Sequence, residues 1–153
     1  ELEEATSFCR ELRTQLHPKD RILIGFDLKK NPHTILEAYN DREGITAAFN
    51  LNLLARINRE LDADIDLEKF SHYQNYDPIT GACRSYLISL EDQSSCIAGK
   101  IIKFSANEPI CMEVSQKFSL SQTRQLAENT GFAHSCEITD TKGWFIDAIW
   151  TAT

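Results

Sequence analysis

The clearest chemical pattern in the sequence lies in CMEVSQKF, residues 111 to 118, which has the residue types of a strand. Strand side chains point alternately to two faces, so Glu113 and Ser115 share one face with Cys111 and Lys117. The other face is apolar and consists of Met112, Val114 and Phe118. A carboxylate accepts hydrogen bonds and a hydroxyl both donates and accepts them, so this pair can hold a small polar group. Taken alone, a glutamate such as Glu113 is more often a solvated residue on a strand face, and Ser115 is uninformative.

The cysteines and acidic residues do not indicate a metal site. The cysteines lack zinc-site spacings, and we expect them to be reduced and buried, as small hydrophobes are. They are Cys9, Cys83, Cys96, Cys111 and Cys136. Asp62, Asp64 and Asp66 alternate as calcium ligands do, but the glycine and glutamate of a calcium loop are missing. We therefore expect a solvated acidic turn there.

The composition indicates a soluble, cytoplasmic protein. The 153 residues are 42% hydrophobic, which is enough to fill the core of one domain or of a large part of one. The formal net charge is -7 and no run of Lys or Arg occurs, which argues against nucleic acid and anionic membranes as partners. No apolar stretch could span a bilayer, and the acidic start ELEEA is unlike a signal peptide.

The first part of the chain has an α/β pattern. Helical spacing predicts a helix over residues 3 to 16, and RILIGFDL, residues 21 to 28, is typical of a strand buried on both faces of a parallel sheet. Asn31 and Pro32 predict the cap and first position of a second helix. A third helix is predicted over residues 43 to 61. Its apolar stripe, of the kind that faces a core, is Ile45, Phe49, Leu53 and Ile57.

From residue 69 the apolar pattern changes to period two. An antiparallel meander of four strands is predicted in KFSHYQNYD, CRSYLISL, SSCIAGKIIKF and PICMEVSQKF. A capping box of Ser119 and Gln122 then begins a helix that ends at Gly131. Two strands, HSCEITD and GWFIDAIWT, close the chain, and we expect this hairpin to share a sheet with residues 21 to 28. No G-x-G turn follows a strand, so a nucleotide-type cofactor would find little backbone to bind.

Several long motifs carry a resemblance to a known family. They are AYND, GITAAFN, INRELDADIDL and E-x-S-x-K-F. With these motifs the chain resembles the C-terminal half of the histidine-specific, S-adenosylmethionine-dependent methyltransferases. The best-known member of that family trimethylates the α-amino group of histidine in ergothioneine biosynthesis. The match is strong over residues 8 to 73 and 108 to 118 and weak between them.

The resemblance implies roles for three residues. The family's tyrosine in the A-Y-N/D-D motif, which helps hold the amino-acid end of the substrate, matches Tyr39. The glutamate and serine of the E-x-S strand, which meet the imidazole ring, match Glu113 and Ser115. These residues would bind and orient the substrate, because methyl transfer to an amine depends mainly on placing the nitrogen in line. A pocket methionine of the family falls near Ser85.

The resemblance also implies a fold and its division. The expected fold class is α/β, the C-terminal part of a Rossmann-like methyltransferase sheet (strands five, seven and six) with an inserted helix plus antiparallel-strand substrate domain. Residues 1–40 would form the end of that sheet, 41–118 the substrate-binding insertion and 119–153 the closing helix and two strands. The family's glycine-rich cofactor site and a substrate-binding asparagine lie upstream, so we expect a fragment.

The expected function is that of the substrate-binding part of an S-adenosylmethionine-dependent N-methyltransferase acting on the α-amino group of histidine or a related amino acid. The cofactor is expected in the full-length enzyme, with none on this fragment, which alone would be inactive. Two alternatives stay open. One is a relative that methylates a different aromatic amine, and the other is a non-enzymatic binding or regulatory module that lacks the cofactor half.

An expectation about assembly follows from the missing neighbour of one strand. Without strand four, residues 21 to 28 would expose an apolar edge with unpaired backbone groups, which is a template for pairing with another chain. The side chains expected to lie open are Ile22, Leu23, Ile24 and Phe26. We therefore expect a homo-oligomer joined through residues 21 to 28 or by a swapped element.

Overall fold

The computed structural model describes residues 2–153, which form a mixed α/β fold with antiparallel sheets. Within this range the helices are α1 (Leu2–Thr14), α2 (Pro32–Tyr39), α3 (Ile45–Glu60) and α4 (Leu120–Asn129). The strands are β1 (Arg21–Asp27), β2 (Phe70–Tyr76), β3 (Ala82–Ser89), β4 (Gln93–Ile97), β5 (Lys100–Phe104), β6 (Pro109–Gln116), β7 (Phe132–Thr139) and β8 (Phe145–Ala152). A short 3-10 turn spans Leu67–Lys69.

The chain divides into two compact units. The first consists of residues 2–31, 77–82 and 115–153, and the second of residues 32–76 and 83–114. Along the chain, strand β6 passes from the second unit into the first between Val114 and Ser115. The functional division of the chain at residues 40 and 118 stays a prediction.

The first unit is built on a three-stranded sheet of order β1–β8–β7. Both pairings are antiparallel. Ala148 of β8 lies opposite Ile24 of β1 on one side and opposite Glu137 of β7 on the other. The prediction that strand 21–28 shares a sheet with the closing hairpin is therefore confirmed. Strand β1 lies at the edge of this sheet.

The predicted burial of β1 on both faces is wrong. Leu23 is 64% exposed, whereas Phe26 is 6% exposed and belongs to the core. The expectation that Phe26 lies open is thus also wrong. The reason is that Cys9 of α1 and Leu126 of α4 pack with Phe26 on one face of the sheet, and Leu23 points to the other face.

Aromatic rings fill the core of the first unit. Trp150 is fully buried, and its ring centroid lies 5.5 Å from that of Phe26 and 5.8 Å from that of Phe132. Phe118 meets Phe26 edge to face at 5.2 Å. The core thus ties β1 and the residues that follow β6 to the last strand of the chain.

The predicted ends of α4 are confirmed. Ser119 caps the helix by accepting a hydrogen bond from the backbone N–H of Gln122, and the Gln122 side chain accepts one from the backbone N–H of Ser119. After the last turn, Gly131 has a φ of 85°, the left-handed conformation that glycine adopts without strain.

The second unit combines α2 and α3 with the sheet of order β2–β3–β6 and the hairpin β4–β5. Its core is formed by Leu54 of α3, Ile65, Phe70 of β2 and Leu87 of β3. Pro32 is the first residue of α2, as predicted. The expected meander is correct for β2 and β3, which pair antiparallel, but residues 94 to 104 are not one strand. They form a hairpin whose turn residues Ala98 and Gly99 have φ angles of 49° and 76°.

Of the predicted apolar stripe of α3, Ile57 packs against the core, and the other three residues do not. Ile45, Phe49 and Leu53 are 64%, 71% and 44% exposed. The buried side chains of the helix are Asn50 and Leu54. Helical spacing defines which residues share a face but not which face packs, and here Leu51, Leu54 and Ile57 pack in the core of the unit.

The cysteine prediction holds in part. All five cysteines are free, and Cys9 and Cys83 are buried, but Cys111 and Cys136 are exposed. The acidic residues around Asp64 make contacts with the backbone. Asp64 Oδ1 accepts from the N–H of Cys96 at 2.7 Å, and Asp66 caps the 3-10 turn.

Among residues 2–153, no helix is long and apolar enough to cross a membrane.

Candidate functional site

A cavity of about 440 Å³ lies in the second unit alongside α3 and β6. Its lining residues are Phe49, Asn50, Asn52, Leu53, Arg56, Met112 and Glu113. Three apolar side chains and two opposite charges therefore surround one volume. Such a cavity can bind a small molecule with an apolar or flat body and polar ends.

Glu113 reaches this cavity from β6, which is an edge strand of its sheet. Met112 lines the same cavity, although strand alternation places it on the opposite face from Glu113. A cavity beside a sheet edge can meet side chains from both faces, and Met112 also packs against the core of the unit. Glu113 itself is exposed.

The α3 wall of the cavity is fixed by local contacts. Asn50 is 3% exposed, and its amide donates to the carbonyl of Thr46 at 3.1 Å. The Nε of Arg56 donates to both carboxylate oxygens of Glu60 at 3.0 Å. The wall therefore presents an anchored amide and a guanidinium whose charge is partly matched on the same helix.

Tyr39 is the last residue of α2 and is half-buried. It belongs to the same unit as Glu113 but is not among the residues that line the cavity. The structure therefore brings Glu113 to a cavity and does not bring Tyr39 to it.

Ser115 takes part in a different arrangement, in the first unit. Its Oγ accepts a hydrogen bond from the Nζ of Lys117 at 2.7 Å. Lys117 is 1% exposed, and its Nζ also lies 2.8 Å from Asp27 Oδ2. Asp27 Oδ1 receives a further hydrogen bond from Lys30.

The electrostatics of this group keep Asp27 ionised. Burial alone would raise the pKa of Asp27, but the hydrogen bonds and charges of Lys117 and Lys30 outweigh it. The net result is that the pKa of Asp27 lies below its ordinary value. A charged carboxylate between two ammonium groups is the stable form.

Ser85, near which the family's pocket methionine was placed, is a buried core residue on β3. Its Oγ donates to Gln74 Oε1 at 2.6 Å, and it is 1% exposed. It does not line the cavity of the second unit.

Sequence reasoning missed Phe49, Asn52 and Arg56 as cavity residues. No signal in the sequence indicated them, because only the structure shows that Phe49 is left 71% exposed on α3. His72 on β2 does not line this cavity. Its Nε2 is buried without a hydrogen-bond partner among the described residues, and burial lowers its pKa despite the charge of Asp41.

Two glycines of the described residues lie where other atoms of the chain approach closely. The turn between β1 and α2 contains no glycine. A Cβ added to Gly25 would lie 2.6 Å from the ring of Phe145, and one added to Gly81 would lie 2.3 Å from the carbonyl oxygen of Lys117. These two glycines therefore admit close approach of the chain's own atoms.

Comparison with known proteins gives a match over nearly the whole chain. The sequence profile of the family described as "Histidine-specific methyltransferase, SAM-dependent" matches residues 1–152. The histidine N-alpha-methyltransferase of Mycolicibacterium smegmatis is 38% identical over 113 residues, which are 72% of this chain and 35% of that protein. The protein of the same name from Mycobacterium tuberculosis is 35% identical over 114 residues, with the same shares.

A more distant relative is the ergothioneine biosynthesis protein 1 of Schizosaccharomyces pombe, 30% identical over 129 residues, which are 84% of this chain and 17% of that protein. The chain thus spans about a third or less of the length of these relatives. Among solved structures, the chain matches the CcbJ methyltransferase from Streptomyces caelestis. The match covers 99% of this chain and 51% of that one, with 10% sequence identity and a TM-score of 0.49. That score is too low to establish a shared fold.

Proposed function

Because the chain belongs to the family of histidine-specific, SAM-dependent methyltransferases, we propose that it is the substrate-binding part of a longer N-methyltransferase. The methyl acceptor is the α-amino group of histidine or of a related amino acid. S-adenosylmethionine binds in the longer chain, and residues 1–153 alone are inactive.

The observation that carries this proposal is the position of Glu113 on the wall of a cavity with apolar sides. In such surroundings a carboxylate is a strong acceptor for a ring N–H, and an apolar wall accommodates the flat part of a ring. Both features match the chemistry of an imidazole. The family profile, which covers residues 1–152, supports histidine as the first substrate to test.

In this proposal Glu113 accepts a hydrogen bond from one ring N–H, and Ser115 meets the other ring nitrogen. Tyr39 holds the amino-acid end of the substrate. All three residues bind and orient, and none acts as a general acid or base. An amine held in line with the methyl donor needs little other assistance from side chains.

The proposal also includes an assignment of the fold. Strands β1, β8 and β7 are strands five, seven and six of a Rossmann-like sheet, because their spatial order and antiparallel pairing fit the end of such a sheet. Residues 41–118 are the substrate-binding insertion between strand five and the last helix.

The proposal is tested with the full-length protein and the variant Glu113→Gln. The glutamine removes the negative charge with little change of shape, and losing one charge-assisted hydrogen bond costs about 1.5–3 kcal/mol. We therefore expect histidine to bind about 10- to 100-fold more weakly in calorimetric titration. A matched control is Glu68→Gln, because Glu68 is an exposed glutamate of the second unit outside the cavity.

Unchanged histidine affinity in Glu113→Gln would contradict the assigned role of Glu113. Binding of histidine without any methyl transfer by the full-length protein would favour the non-enzymatic module. Absence of histidine binding to the unaltered full-length protein would overturn the proposed substrate.

A further inference from the structure

The cavity of the second unit is lined by two opposite charges that do not pair with each other. Glu113 comes from β6 and Arg56 from α3, and both belong to the same compact unit. Among residues 2–153, Glu113 takes part in no hydrogen bond or ion pair, and the ion pair of Arg56 is with Glu60. Two separated charges on one cavity can each bind a different end of the same small molecule.

The guanidinium of Arg56 keeps most of its hydrogen-bond donors for a ligand. Its Nε donates to both carboxylate oxygens of Glu60 at 3.0 Å. In the part of the chain that the structure describes, the N–H groups of its terminal nitrogens, Nη1 and Nη2, have no partner. The flat fork that these nitrogens form is the arrangement that binds a carboxylate through parallel hydrogen bonds.

Glu60 anchors Arg56 without cancelling the positive charge of this end of α3. The Nη2 of Arg59 also lies 3.5 Å from Glu60 Oε1, so two guanidinium groups share one carboxylate and one positive charge is left over. The hydrogen bond from Arg56 lowers the pKa of Glu60, so the anchoring carboxylate stays ionised. An anion that enters the cavity therefore meets a guanidinium that is already held in place.

We propose that Arg56 binds the carboxylate of the substrate while Glu113 binds the ring N–H, so that the cavity selects an amino acid over the corresponding decarboxylated amine. This inference rests on the proposed function, in which Glu113 meets the ring, and it adds the residue that recognises the acidic end. Arg56 is the one cation among the described residues that line the cavity, and Tyr39 does not line it. Histidine has both a ring N–H and a carboxylate, whereas an aromatic amine such as histamine lacks the carboxylate.

The test measures, by calorimetric titration of the full-length protein, the affinity for histidine and for histidinamide, in which a neutral amide replaces the carboxylate. The Arg56 side chain is 59% exposed, so we expect Arg56→Gln to weaken histidine binding by about 5- to 10-fold, the lower end for a charged hydrogen bond. Histidinamide should bind to Arg56→Gln within about twofold of its affinity for the unaltered protein, because it has no charge for Arg56 to pair with.

Arg59→Gln is the matched control. Arg59 lies on the same helix, is 66% exposed and contacts the same carboxylate of Glu60, but it does not line the cavity. Its substitution removes the same charge and should leave the preference for histidine over histidinamide unchanged. Equal losses of histidine affinity in Arg56→Gln and Arg59→Gln would overturn the proposal, because the effect would then come from the general charge of the helix and not from a contact.

A second comparison does not depend on the folding of any variant. Equal binding of histidine and histidinamide by the unaltered protein would overturn the role of Arg56 while leaving histidine as the substrate, as would an Arg56→Gln variant that binds histidine as tightly as the unaltered protein. Failure of the unaltered protein to bind histidine would instead contradict the proposed function, so the two failures are distinguishable.

Discussion

At the scale of single residues, the carboxylate of Asp27 has one oxygen for each of two lysines. Oδ2 pairs with the buried Lys117 and Oδ1 with Lys30, whose side chain is 15% exposed. The two cations lower the pKa of Asp27 against the effect of burial. Because Asp27 ends β1, this ion-pair group fixes the point at which the sheet of the first unit gives way to a loop.

This group predicts a pH dependence of stability. A carboxylate whose pKa is depressed by folding stabilises the native state above its unfolded pKa of about 3.9, and this contribution is lost as the pH falls through the lower folded value. Asp27→Asn should therefore lower the free energy of unfolding at pH 6, with a smaller difference from the unaltered chain near pH 3. The measurement is urea unfolding at both pH values.

The control for that experiment is Asp62→Asn, because Asp62 is exposed and has no ion pair among the described residues. It should change the free energy of unfolding little at either pH. A constant deficit of Asp27→Asn at both pH values would mean that the charge of Asp27 is not the source of its contribution.

At the scale of elements, α3 has two apolar faces, one buried in the core and one exposed. Leu54 is 4% exposed in the core of the second unit, whereas Phe49 is 71% exposed beside the cavity. A helix of this kind stabilises the unit with one face and offers the other for binding.

Two alanine substitutions separate these faces. Leu54→Ala should lower the free energy of unfolding by about 2–5 kcal/mol, since it leaves a cavity in the core. Phe49→Ala should change it by less than about 0.5 kcal/mol, as is usual for surface positions. Chemical denaturation followed by far-UV circular dichroism measures both. Comparable losses for the two variants would mean that Phe49 is packed in solution.

Sequence reasoning succeeded where the chemistry is local. Ser119 and Gln122 form reciprocal hydrogen bonds across one helical turn, so the start of α4 could be predicted from the sequence alone. It failed at residues 94–104, because the turn places Ala98 in the left-handed region, which an alanine rarely adopts. It also failed on α3, where the choice of the inward face depends on the partner surface.

The candidate site shows the same limit. The spacing of Glu113 and Ser115 predicted a shared strand face, which depends only on local geometry. The pairing of Lys117 with Asp27 joins distant parts of the chain, so no local pattern in the sequence could indicate it. The contact of Arg56 with Glu60, in contrast, is an i, i+4 pair that helical spacing allows.

At the scale of the whole molecule, the edge position of β1 bears on assembly. Strand β1 pairs with β8 along one of its two edges, and its residue Leu23 is 64% exposed on one face of the sheet. An edge strand of this kind is a template for another strand.

We therefore predict that the isolated chain of residues 1–153 self-associates through residues 21 to 28 at low micromolar concentration. Leu23→Lys should shift the chain toward monomer, because a charged side chain on an edge strand opposes pairing. Sedimentation velocity measures the change. Ile101→Lys is the control, since Ile101 is also 64% exposed but lies on the β4–β5 hairpin. A monomeric unaltered chain would refute the prediction.

The burial of Trp150 in the first unit has a spectroscopic consequence. Both tryptophans of the chain, Trp144 and Trp150, lie in the first unit, and all four tyrosines lie in the second. Excitation at the red edge of protein absorbance therefore produces emission from the first unit alone. Loss of structure in that unit can therefore be timed by emission from its own indoles without any added label, while the four tyrosines of the second unit stay unexcited.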